Sequence, residues 1–126
     1  MTDLSLLTLA IEAMEKSYSP YSGCKVGAAL LTKSGKIYTG TNIENAAFSP
    51  TVCAERVAFF KAISEGETEL SAIAVVGGKG GKVDGIFAPC GVCRQVMMEF
   101  CHPETFEIIL AVSTEHYEII TLKELL

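Results

Sequence analysis

The stretch VGAALLTKSGKIYTGT, residues 26–41, decides the architecture. Two runs suited to strands, 26–32 and 37–41, flank Lys33-Ser34-Gly35-Lys36, and a glycine at the tight position of a short polar connection signals a hairpin. The first run is mostly apolar, which places it inside a sheet. Upstream, Ser19, Pro20, Ser22 and Gly23 crowd residues 18–23 into a loop. Before that loop, Leu4, Leu7, Ile11 and Met14 recur at helical spacing behind the capping candidates Thr2 and Asp3, predicting a packing helix that runs to about Ser17.

Downstream, residues 42–49 read as a loop, and Pro50 suits the first turn of a helix over 51–65 that Gly66 closes. Residues 70–76 form a short buried strand. The stretch 77–85 carries five glycines but lacks the GKS or GKT ending of a phosphate loop, so it reads as a strand-to-helix connection. Pro89 precedes a third helix over 91–101, which Pro103 stops. Strands follow at 106–112 and 117–120, and Thr121 caps a last helical turn over 122–126. Helices alternating with buried strands predict an α/β layer sandwich with a central sheet, a single domain over residues 1–126.

Composition narrows the function. The chain has 126 residues, 49% of them hydrophobic, and a formal net charge of -5. No run of Lys or Arg exists to neutralise a row of phosphates, which excludes a nucleic-acid polymer as partner. The apolar stretch near the N-terminus follows Asp3 and is interrupted by Glu12, so it reads as neither a signal peptide nor a membrane span, and the expected compartment is the cytoplasm. Five cysteines, an odd number in such a chain, favour thiols or metal ligands over a disulfide framework.

Cys90 and Cys93 stand at i and i+3, on one side of a helix's first turn. Alone, such a pair is equally a redox couple or half of a structural metal site. Cys53, at the start of the other long helix, supplies a third thiol, and a catalytic zinc takes three protein ligands and leaves a position for water. Cys24 reads as a residue of a pocket wall and Cys101 as a buried thiol at a helix end, while His102 and His116 lack ligand spacing from the trio. Three thiolates on one dication leave negative charge to be compensated. Two helix N-termini and Arg56 are the candidates, with Arg94 a second arginine in reach. Glu55 is suited to general acid-base work beside the metal, although an acidic residue also simply favours a helix's first turn.

TNIENAAFSPTVCAER (41–56) and APCGVCRQVMMEF (88–100) resemble the CxE…PCxxC signature of the small homotetrameric zinc-dependent cytidine deaminases, and the similarity runs from about Tyr18 to Leu126. The resemblance implies a three-layer α/β/α sandwich around a mixed five-stranded sheet. It implies that Cys53, Cys90 and Cys93 hold Zn2+, that Glu55 shuttles the proton, that Asn42 and Glu44 hydrogen-bond the ribose hydroxyls, and that the Ala54 backbone contacts the pyrimidine. The implied reaction is hydrolysis of cytidine and deoxycytidine to uridine, deoxyuridine and ammonia, serving pyrimidine salvage. A carboxylate accepts two hydroxyl hydrogen bonds and repels phosphate, which favours a free nucleoside.

Two departures stand out. Cys24 occupies about the place where the family carries an aromatic residue that stacks on the base, with Phe48 an alternative surface, and the chain stops at Leu126 without the family's tail. Stacking is worth roughly 1 to 3 kcal/mol per base, so these departures keep open a deaminase of another aminated nucleoside or nucleoside antibiotic. A nucleoside-binding zinc protein without turnover is the alternative from another class, and a thiol oxidoreductase would leave Glu55 and Cys53 idle.

Overall fold

The computed structural model describes residues 3–47, 50–79, 91–113 and 115–125. Strands β1 (Cys24–Thr32) and β2 (Ile37–Thr41) form the expected hairpin, from Leu31 opposite Ile37 to Gly27 opposite Thr41. Gly35 takes φ 94° in its turn, a conformation that penalises a side chain. β3 (Leu70–Lys79) pairs antiparallel with the other margin of β1, β4 (Glu107–Ala111) runs parallel to β3, and β5 (Tyr117–Thr121) returns antiparallel to β4. The result is a mixed five-stranded sheet in the order β2-β1-β3-β4-β5, with β1 interior as its apolar run requires.

Because side chains alternate across a strand, the sheet presents two apolar faces. Leu6, Leu7, Ala10 and Met14 of α1 (Asp3–Met14) pack on Ala29, Ala72, Ala74, Val76, Ile109 and Ala111. The opposite face, with Ala28, Leu30, Ile73, Val75, Ile108 and Leu110, receives α2 (Ala54–Ser64), α3 (Gly91–Phe100) and α4 (Leu122–Leu125). These are the three layers of an α/β/α sandwich. Phe59 of α2 meets Phe106 edge-to-face at 6.0 Å between ring centroids. Gly40 allows the close approach of α2 to the sheet: a Cβ there would lie 2.4 Å from the Ala54 carbonyl oxygen and 2.7 Å from the Ala58 nitrogen. At the β2 margin of the sheet, Lys61 Nζ donates to the Thr39 carbonyl at 2.6 Å.

Several boundaries differ from expectation. α1 ends at Met14, and Glu15, Lys16 and Ser17 continue as a tighter turn whose amides donate to residues three positions back. Its buried face is Leu6, Leu7, Ala10 and Met14, and Leu4 is exposed. α2 begins at Ala54 because Val52 is held extended, exchanging both backbone hydrogen bonds with Ile43 at 3.0 Å each. β3 runs on through Gly77 and Gly78 to Lys79, pairing with Val26, Lys25 and Cys24, so the start of the glycine-rich stretch is strand. Thr121 caps α4 as expected: its Oγ1 accepts from the Glu124 amide at 3.3 Å, and Glu124 Oε1 accepts from the Thr121 amide at 3.3 Å. The expected roles of Thr2, Phe48, Pro89, Cys90, Leu126 and the remainder of the 77–85 connection lie outside the described residues. No helix among the described residues is long and apolar enough to cross a membrane.

Candidate functional site

Cys53 is the N-cap of α2, with extended backbone angles of φ -79° and ψ 153° and no side-chain cap hydrogen bond. The partial positive charge of the helix end therefore faces a thiol, an environment that favours thiolate. Ala54, Glu55 and Arg56 form the first turn, and both Ala54 and Glu55 are buried. Cys93, the third residue of α3, is 1% exposed.

These elements bring four side chains together. Arg56 Nη2 donates to Cys53 Sγ at 3.5 Å, and the guanidinium also reaches Cys93. Those contacts, led by the one to Cys53, raise the arginine's pKa and hold it charged. Among the described residues, Arg56 Nε is a buried nitrogen without a hydrogen-bond partner. The Glu55 carboxyl is pushed up to about 7, chiefly by burial and further by Cys53, against the opposing pull of its own backbone amide, Cys93 and Arg56. A carboxyl so placed both accepts and releases a proton near neutrality.

The donor set suits a thiophilic cation: two cysteines at helix N-termini, with a guanidinium to offset their charge, fit zinc. Among the described residues no group of three His, Cys, Asp or Glu side chains closes on a common point, and the third expected thiol, Cys90, falls outside them. His102 and His116 are exposed; His102 Nδ1 accepts from the Glu104 amide at 3.3 Å. Arg94 Nη1 donates to the Leu125 carbonyl at 2.9 Å. Cys101 is a buried thiol, as its place at a helix end suggests.

Asn42 and Glu44 reach the same region through the backbone. Ile43 bridges to Val52, directly before Cys53, and to Tyr18 on its other side. A cavity of about 480 Å³ opens there, lined by Tyr21, Ser22, Glu44, Asn45, Ala46 and Thr51. Glu44 Oε1 accepts from the amides of Tyr21 at 3.0 Å and Ser22 at 3.1 Å, and Oε2 accepts from the Ser22 hydroxyl. Asn42 Oδ1 accepts from the Val26 amide at 2.9 Å and from the Ser17 hydroxyl, while Nδ2 donates to the Cys24 carbonyl at 2.8 Å. Cys24, read as a residue of a pocket wall, is the first residue of β1, its carbonyl accepting from Asn42, and it is not among the residues that line this cavity. Sequence reasoning used Ser17 only as a helix end and Ser22 only as a loop residue, and gave neither a role at the site. A second groove, of about 490 Å³, lies between α1, β2 and α2, and among the described residues no cysteine lines either cavity.

Residues 1–109 match the family described as the cytidine and deoxycytidylate deaminase zinc-binding region. The chain is 53% identical over 97 residues to the cytidine deaminase of Sporosarcina psychrophila, covering 77% of this chain and 68% of that one. It is 48% identical over 121 residues to the cytidine deaminase of Halalkalibacterium halodurans, covering 96% and 88%. The crystal structure of cytidine deaminase from Burkholderia pseudomallei superposes with a TM-score of 0.90 at 44% identity, covering 100% of this chain and 97% of that one.

Proposed function

The chain belongs to the cytidine and deoxycytidylate deaminase zinc-binding family, and from that membership we propose that it hydrolyses cytidine and deoxycytidine to uridine, deoxyuridine and ammonia. Cys53, Cys90 and Cys93 would hold the zinc. When bound, the metal supplies the acidity that makes water a usable nucleophile at neutral pH.

Glu55 takes one proton from the attacking water and places it on N3 of the pyrimidine, then takes the proton of the new C4 hydroxyl and delivers it to the departing amine. Water and the aminated ring thus become the oxo ring and ammonia, with the carboxyl returned to its starting state. Arg56 and the α2 N-terminus offset the negative charge of the thiolates. Asn42 and Glu44 bind the sugar, the Ala54 backbone meets the base, and the Glu44 carboxylate disfavours a phosphorylated substrate.

The observation that carries this reading is the buried Glu55 carboxyl, raised to about 7, beside Cys53, Cys93 and Arg56 at the start of α2. Its test is Glu55→Gln, which keeps the shape and removes the proton carrier. We expect retained zinc and a loss of turnover on the order of 10²-fold or more, read as ultraviolet absorbance change on cytidine alongside metal content. An active Glu55→Gln enzyme overturns the assignment.

The same reading makes residues 1–126 one catalytic domain working in the cytoplasm in pyrimidine salvage. It further makes the chain a homotetramer, supported by the exposed Phe60 on α2 and the exposed Val92 and Met98 on α3.

A further inference from the structure

Hydrogen-bond accounting at the sugar-binding residues singles out the loop that precedes β1. A carboxylate offers about four acceptor sites. Among the described residues, three of Glu44's are taken, two on Oε1 by the amides of Tyr21 and Ser22 and one on Oε2 by the Ser22 hydroxyl. Asn42 is similarly committed: both acceptor sites of Oδ1 are used, by Val26 and Ser17, and one of its two N–H donors goes to Cys24. Among the described residues, one acceptor site on Glu44 and one N–H of Asn42 remain.

We infer that Ser22 is a positioning residue for nucleoside binding, fixing the Glu44 carboxylate through its hydroxyl and amide so that one acceptor site on Oε2 faces the substrate's sugar. The inference rests on the proposed role of Glu44 in sugar binding. Ser22 is itself braced, because its Oγ accepts from the Cys24 amide at 3.0 Å. The loop is also tied to the Asn42–Glu44 segment through its backbone: the Glu44 amide donates to the Tyr18 carbonyl at 2.9 Å and the Tyr18 amide to the Asn42 carbonyl at 3.3 Å. The Ser22 hydroxyl is the foremost cause that holds the Glu44 carboxyl below its ordinary range, which keeps it an ionised, acceptor-only group.

The test is steady-state kinetics on zinc-loaded enzyme with cytidine, for Ser22→Ala, Ser22→Thr, Glu44→Ala and the double variant Ser22→Ala/Glu44→Ala, with thermal unfolding of each. Ser22→Ala should raise KM on the order of 10-fold with kcat nearly unchanged, and Ser22→Thr, which keeps the hydroxyl, should restore it. In the Glu44→Ala background the Ser22 change should add nothing, because its effect passes through Glu44. If Glu44→Ala raises KM and Ser22→Ala does not, or if the two effects simply add, the positioning role is overturned while sugar binding by Glu44 stands. If Glu44→Ala leaves KM unchanged, the sugar-binding role itself has failed and the Ser22 role falls with it. Should Ser22→Ala not fold, Ser22→Cys, similar in shape with a weak S–H donor, carries the same comparison.

Discussion

Cys101 follows directly on α3, whose first turn holds Cys93, yet the two thiols have opposite fates. Cys93 lies against Arg56 at a helix N-terminus, whereas burial alone acts on Cys101 and pushes its pKa from 9.0 up to about 12. The folded state therefore keeps the Cys101 proton that the unfolded chain releases. Its stabilising contribution is complete below about pH 9 and declines as pH rises from 9 to 12. Wild-type stability should fall across that window by up to about 1.4 kcal/mol per pH unit more than that of Cys101→Ala, measured as urea unfolding midpoints of both proteins against pH. The burial of Cys101 and the meeting of Glu55 with Cys53 and Cys93 were legible in the sequence from residue type and spacing. Ser22 was not, since its partner Glu44 is 22 positions away and a loop serine carries no mark of such a contact.

At the scale of elements, the start of α2 matters most, because Cys53, Ala54, Glu55 and Arg56 follow one another there. Gly40 sets how closely that end approaches the sheet. A methyl group at residue 40 would meet the backbone of Ala54 and Ala58, neither of which can rotate away, so the helix itself must move. Gly40→Ala should cost about 1–3 kcal/mol of stability in urea unfolding and also lower zinc content and turnover, since the displaced turn is the one that carries the site. Existence and order of the helices and strands were readable from apolar spacing and from Pro and Gly punctuation. The onset of α2 was not: Pro50 suits a helix beginning at 51, but pairing of Val52 with Ile43 across the loop overrides that local preference. The buried face of α1 shifted for a similar reason, because the sheet beneath decides which side of a broadly apolar helix is covered.

For the whole molecule, the fold gathers into one place groups that the chain keeps far apart. α2 and α3 are separated in sequence by β3, and their first turns converge on the same side of the sheet. The proposed metal, held by residues of both helices, would join them and favour the folded state over the unfolded one. Stripping the zinc with a chelator should lower Tm by about 10 °C, reflecting several kcal/mol of linked binding, and adding zinc back should restore it, as read by scanning calorimetry. The margin of the sheet has a consequence of a different kind. β2 is an outermost strand, and open carbonyls along such a strand invite a neighbour's chain to add itself and begin a fibril. With the Lys61 ammonium seated on the Thr39 carbonyl, an incoming strand would have to strip a positive charge of its partner and bury it, so this border resists aggregation at high protein concentration.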